Sequence, residues 1–164
     1  MKKLMLALLF AASVPAAHAQ VQIESPWVRA TVAAQKASGA FFRITAASDS
    51  RLVKVSSPVA NVTELHEMKT EDGVMKMRQI DALALPAGQA VELKPGGYHV
   101  MLMGLKDQIK EGDTVQLSLV VEGKDGKRET VEVQAPARSL TAGAAAPAAP
   151  AAPAHEGMAH EHKH

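Results

Sequence analysis

Between Trp27 and Val133 the chain is a succession of short runs rich in Val, Ile, Leu, Phe and Thr, and none sustains a long helical period. Turn residues separate them at close intervals: Ser48-Asp49-Ser50, Asp72-Gly73, Ala87-Gly88, Pro95-Gly96-Gly97, Glu111-Gly112-Asp113 and Asp125-Gly126. Val115 to Val121 alternates as a half-buried strand does. Lys124-Asp125-Gly126-Lys127 then predicts a type I′ hairpin turn into Thr130–Val133, and Asp72-Gly73 predicts a second two-residue hairpin. Leu102 to Lys110 is expected to hold one short helical turn, while Ser38-Gly39 and Ser56-Ser57 read as turn or strand-edge residues. So many short strands with close turns restrict the fold to an all-β sandwich or barrel.

The ends of the chain differ from this body. Lys2 and Lys3, the apolar run Leu4–Ala12 and the small-residue site Ala17-His18-Ala19 stand in the order of a secretory signal peptide, so residues 1–19 are expected to be removed. The apolar run is too short to span a bilayer, and no membrane insertion is expected after cleavage. Residues 20–140 are the expected β domain. Residues 141–154, almost entirely Ala, Gly and Pro, read as a linker. Residues 155–164, which hold four of the seven histidines, are expected to form a disordered tail.

Charge and cysteine content exclude several functions. Without Lys2 and Lys3 the chain has 16 basic against 17 acidic residues, a formal charge of −1. Such a balance offers no footprint for nucleic acid and no polybasic stretch for anionic lipid. There is no cysteine. That removes disulfides, thiol nucleophiles, thiolate zinc sites and a blue-copper centre from consideration. No serine or carboxylate constellation marks a catalytic site, so the protein is not expected to be an enzyme.

What remains is a pattern of histidine and methionine. Apart from His18, the body has two histidines, His66 and His99, and five of the eight methionines lie beside them: Met68, Met75, Met77, Met101 and Met103. Residues i and i+2 share a strand face, so His66 lies with Met68, Met75 with Met77, and His99 with Met101 and Met103. If Asp72-Gly73 is a two-residue turn, Glu71 pairs with Val74, Met68 faces Met77, and His66 is a diagonal neighbour of Met77. Either histidine alone would ordinarily be a partly buried polar residue, and a single methionine a core gap-filler. The combination points to a soft metal, because thioethers favour Cu(I) and imidazole adds a stronger donor. Zinc would favour cysteine, histidine and carboxylate, and calcium or magnesium would favour oxygen.

The spacing His66-x10-Met77-x21-His99-x-Met101 resembles the motif of the periplasmic copper chaperones that supply the binuclear copper A centre of cytochrome c oxidase. Pro95 to Leu105 resembles the same family, as do Trp27-Val28-Arg29 and Ser38 to Phe42; the likeness covers about residues 23–136. The resemblance implies a cupredoxin-like Greek-key β-sandwich with one exposed Cu(I) site formed by His66, Met77, His99 and Met101. Met68 fits the family's optional additional methionine, while Met75 and Met103 are not carried over as ligands. It also implies a periplasmic location and, as partners, a copper-receiving oxidase subunit or a thiol-bearing assembly factor.

His155, Met158, His160, His162 and His164 form a His-rich tract suited to a second site, for Cu(II), although a flexible tail would select poorly against zinc or nickel. Two other functions remain open at this level: passive copper storage or resistance, and copper redox catalysis. The latter is disfavoured by the thioether-rich set.

Overall fold

The computed structural model describes residues 21–139. They form ten strands: β1 (Val21–Arg29), β2 (Ala37–Ala46), β3 (Ser50–Ser56), β4 (Ala60–Glu71), β5 (Val74–Ile80), β6 (Leu83–Leu85), β7 (Ala90–Leu93), β8 (His99–Leu105), β9 (Thr114–Gly123) and β10 (Arg128–Arg138). Among the described residues there is no helix. The strands run in the order β5-β4-β8-β2-β1-β10-β9-β3-β6, with β7 also paired to β2. The two halves of this sheet meet where β1 and β10 run parallel, at Val28↔Ala137 and Arg29↔Arg138. Their inner faces share one core. Leu65, Val100, Leu102 and Ile44 come from one half, and Leu52, Leu117, Leu119 and Val133 from the other. Alternation along strands such as β9 and β10 sends every second residue into this core and leaves the intervening ones on the outer face.

The two expected hairpins differ in construction. At Asp72-Gly73 both residues have positive φ, 53° and 76°, as a type I′ turn requires. Glu71 pairs with Val74 and Met68 with Met77, the register that this turn sets. At Asp125-Gly126 only the glycine has positive φ, 77°, so the expected type I′ turn is not formed. Gly123 N–H instead donates to the Lys127 carbonyl and Gly126 N–H to the Gly123 carbonyl, a longer turn with the glycine in the left-handed position. The Asp125 carboxylate accepts from Lys127 N–H at 3.1 Å, which holds the turn in this form.

Two further expectations are corrected. The helical turn over Leu102–Lys110 is absent: Leu102 to Leu105 complete β8. Beyond them, Ile109 N–H donates to the Thr31 hydroxyl, and its carbonyl accepts from Thr31 N–H, so this segment is tied to the loop after β1. Ser38 and Gly39, expected as turn or strand-edge residues, lie within β2 between β1 and β8, opposite Leu102 and Met101 of β8. The expected signal peptide, linker and tail lie outside the described residues.

Candidate metal site

Three neighbouring strands, β5-β4-β8, carry the candidate residues on the outer face of the sheet. Leu65, Val100 and Leu102 point into the core and are at most 5% exposed, so the residues between them point outward. The pairing of β4 with β8 places His66 directly opposite His99 and Glu64 opposite Met101. The pairing of β4 with β5 places Met77 opposite Met68 and diagonal to His66. The two imidazole rings lie 5.7 Å apart, centroid to centroid, tilted by 51°.

Met68, Met77, His99 and Met101 line one open pocket of about 330 Å³, together with Phe41 and Pro95. His66 does not line the pocket; its ring lies beside that of His99. The histidines are nearly buried, at 9% and 7% exposure, whereas Met77 is 51% exposed. Imidazole therefore forms the floor and thioether the mouth. Met75 is exposed nearer the hairpin tip, and Met103 lies further along β8 opposite Val62. Neither lines the pocket.

The imidazoles are oriented by specific acceptors. The Gly97 carbonyl accepts from His99 Nδ1–H at 3.0 Å and from the Met68 backbone N–H at 3.2 Å. The turn before β8 thus fixes one histidine and pins β4 with the same oxygen, leaving His99 Nε2 with its lone pair. His66 Nε2 lies 2.8 Å from the Glu64 carboxylate. His66 Nδ1 is buried without a hydrogen-bond partner. An unsatisfied buried polar atom costs about 1–3 kcal/mol, so its retention calls for an explanation.

Phe41, Gly39, Glu64 and Gly97 are part of this arrangement and were not among the residues singled out from sequence. A Cβ on Gly39 would lie 2.8 Å from Phe41 Cζ, so the glycine makes room for the ring beside Met101. Trp27 stacks on Phe41 at 4.4 Å, and Arg29 lies 5.8 Å from the Phe41 centroid. A β-bulge at Ser25-Pro26, where Ser25 has φ of 48°, sets Trp27 opposite Phe41. Glu64 was legible by the same i, i+2 rule that linked His66 with Met68.

Among the described residues no three His, Asp or Glu side chains converge on a common point, so nitrogen and oxygen donors do not by themselves complete a metal site. A larger hollow of about 450 Å³, at the turns leading into β3 and out of β9, contains Asp49, Arg51, Glu122 and Lys124. Its charges are paired with one another, Lys124 with Asp49 and Arg51 with Glu122.

Known proteins place this architecture. The family described as "Putative lipoprotein LpqE-like" matches residues 21–137. The chain belongs to the LpqE-like family. A relative, "Putative lipoprotein Lxx21020" of Leifsonia xyli subsp. xyli (strain CTCB07), is 32% identical over 114 residues, covering 69% of this chain and 68% of its own. "Uncharacterized protein RP573" of Rickettsia prowazekii (strain Madrid E) is 31% identical over 123 residues, covering 71% and 68%. Solved structures share the fold of this LpqE-like domain. The "Apo PCuAC domain from PmoF1" superposes with a TM-score of 0.60 at 24% identity, covering 74% of this chain and 95% of that one. The "Solution structure of CuI-DR1885 from Deinococcus Radiodurans" gives 0.54 at 27% identity, covering 78% and 81%. The LpqE-like domain here is thus an all-β, cupredoxin-like sandwich.

Proposed function

We propose that this LpqE-like protein is a periplasmic copper chaperone that carries Cu(I) on His66, Met77, His99 and Met101, with Met68 as an auxiliary thioether. The observation that carries the reading is the meeting of β4, β5 and β8 on one sheet face, where Met68, Met77, His99 and Met101 line one open pocket and His66 lies directly opposite His99. Thioethers stabilise Cu(I) and gain no proton in the physiological range, and they resist loss of the site where exposed thiols would oxidise. The similar Deinococcus structure is that of a CuI form, which agrees with this reading.

Copper is the cargo. The half-exposed Met77 gives a recipient a way in, and stepwise replacement of thioethers by a recipient's stronger ligands would transfer the ion without releasing it to water. The recipient we favour is an oxidase subunit forming its copper A centre, or a thiol-bearing assembly factor. Export follows from the order of charge, apolar run and Ala17-His18-Ala19. The tail residues His155, Met158, His160, His162 and His164 are proposed to take Cu(II) as a second site.

The test is Cu(I) titration of residues 20–140 with X-ray absorption of the loaded domain. One equivalent bound through two nitrogens and two sulfurs is the expected result. A shell of oxygen and nitrogen alone would overturn the assignment. In a deletion strain, loss of oxidase activity is expected; loss of copper tolerance with normal oxidase activity would favour storage or resistance.

A further inference from the structure

Glu64 and His66 stand two residues apart on β4 and share its outer face, and Glu64 is directly opposite Met101. Their side chains meet at 2.8 Å between Glu64 Oε2 and His66 Nε2. A carboxylate only accepts, so the shared proton belongs to Nε2, and in the neutral ring His66 Nδ1 keeps its lone pair. That Nδ1 is buried and has no hydrogen-bond partner. The histidine opposite is arranged the other way round. His99 donates from Nδ1 to the Gly97 carbonyl, which leaves Nε2 as its free donor. One imidazole is therefore held by a neutral peptide oxygen and the other by a carboxylate, and they offer different ring nitrogens.

We propose that Glu64 is a positioning residue of the copper site, which fixes His66 in the Nε2–H tautomer so that it binds copper through Nδ1, while His99 binds through Nε2. This rests on the reading of His66 as a copper ligand. A carboxylate behind a ligating imidazole sets its tautomer and orientation and raises its basicity, and loss of such a partner commonly costs ten- to a hundredfold in metal affinity. The orphaned Nδ1 supports the assignment: a buried donor nitrogen without a protein partner is relieved when a metal takes its lone pair. Glu64 retains some exposure, with 25% of its side-chain surface accessible, so the carboxylate stays partly hydrated and its charge tolerable.

The experiment uses the full-length protein, ¹⁵N-labelled, with Glu64→Leu, Glu64→Gln and His66→Ala variants. Long-range ¹H–¹⁵N correlation of the metal-free protein should show the His66 proton on Nε2 in wild type. In Glu64→Leu a mixture of tautomers is expected. Competition for Cu(I) should show Glu64→Leu weakened by about ten- to a hundredfold. Glu64→Gln should recover most of that loss, because its amide oxygen still accepts from Nε2–H; a merely structural role would not give this rescue together with the tautomer change. A His66 proton on Nδ1 in wild type, or Cu(I) affinity unchanged in Glu64→Leu while His66→Ala has lost it, would overturn the proposal and leave the chaperone reading standing. Wild-type Cu(I) affinity equal to that of His66→Ala would overturn the copper-ligand reading itself, and this proposal with it.

Discussion

At the scale of single residues, the proposed site pairs candidate ligands with side chains that shape the pocket around them. Met101 is partly buried and replaceable by a residue of similar volume, so Met101→Ile is expected to cost less than ~1.5 kcal/mol of stability. The same change removes one thioether, and Cu(I) affinity should fall by at least about tenfold, equivalent to ~1.4 kcal/mol. Thermal melts and competition against a Cu(I) chelator measure the two effects separately, and equal Cu(I) affinity in mutant and wild type would exclude Met101 as a ligand. Gly39 illustrates the shaping role. An added Cβ would meet Phe41 Cζ at 2.8 Å, and Gly39→Ala must displace a ring that is only 3% exposed and lines the pocket. A loss of about 1–3 kcal/mol of stability, typical of overpacking, is expected with weaker Cu(I) binding. An unchanged denaturant midpoint would show that Phe41 moves freely.

At the scale of elements, the β4–β5 hairpin decides whether Met77 reaches the site. β5 is an edge strand, largely exposed, and is held through β4 alone. Its register depends on the turn at Asp72-Gly73, and a slip of one residue would send Met77 to the opposite face. Outside the site, Arg78 donates twice to the Glu67 carboxylate, at 2.9 and 3.1 Å, which steadies the same pairing. The Arg78 guanidinium holds the Glu67 carboxyl below its ordinary range, so this ion pair is kept at neutral pH. Gly73 has φ of 76° and nothing within 4 Å of a built Cβ, so strain rather than contact opposes substitution. Gly73→Val should cost at least ~1–2 kcal/mol, since a β-branched residue is poorly accommodated in the left-handed region, and should weaken Cu(I) binding through Met77. Amide exchange should accelerate in β5 before it does in β8; uniform acceleration across the sheet would refute a local effect of the turn.

At the scale of the whole molecule, acid stability and copper load are separable. Glu122 lies between Arg51 and Arg128, which together hold its carboxyl below the ordinary range; the Arg51 hydrogen bonds are the largest cause. The folded state therefore binds this proton less readily than the unfolded chain. The stabilisation is present above the unfolded carboxylate value, about 4.3, and fades as pH falls through the lower folded value. Glu122→Gln should reduce stability at pH 7, and the difference from wild type should shrink as pH falls below the unfolded carboxylate value, as read from denaturant curves. A constant difference across that range would exclude the linkage. The tail should show its own pH dependence. Protons compete with metal for imidazole, whose reference value is about 6.5, so Cu(II) binding is expected to collapse between about pH 7.5 and about pH 5.5. Truncation after Leu140 should remove this component and leave Cu(I) binding nearly intact; an unchanged Cu(II) profile would rule out the tail as a second site.

The sequence by itself determined the all-β class, the turn at Asp72-Gly73 and the shared faces of His66 with Met68 and of His99 with Met101, because these follow from local backbone sterics and the two-residue period of a strand. It also marked Met77 as a neighbour of His66, since a two-residue turn sets the register of its hairpin. The turn at Asp125-Gly126 was legible as a hairpin but not in its conformation, which the bond from Lys127 N–H to the Asp125 carboxylate helps to hold. Only the tertiary structure decided that β8 lies between β4 and β2, and hence that His66 faces His99 and Gly39 faces Met101. Those strands are separated in sequence by turns and by β5–β7, and no local preference specifies which distant edge they join. The role of Gly39 was invisible for the same reason, because the ring it accommodates is positioned by Trp27 from another strand. The exposed thioethers above nearly buried imidazoles arise from that pairing: the core fixes one face of each strand, and the chemistry is whatever the alternate residues leave on the other.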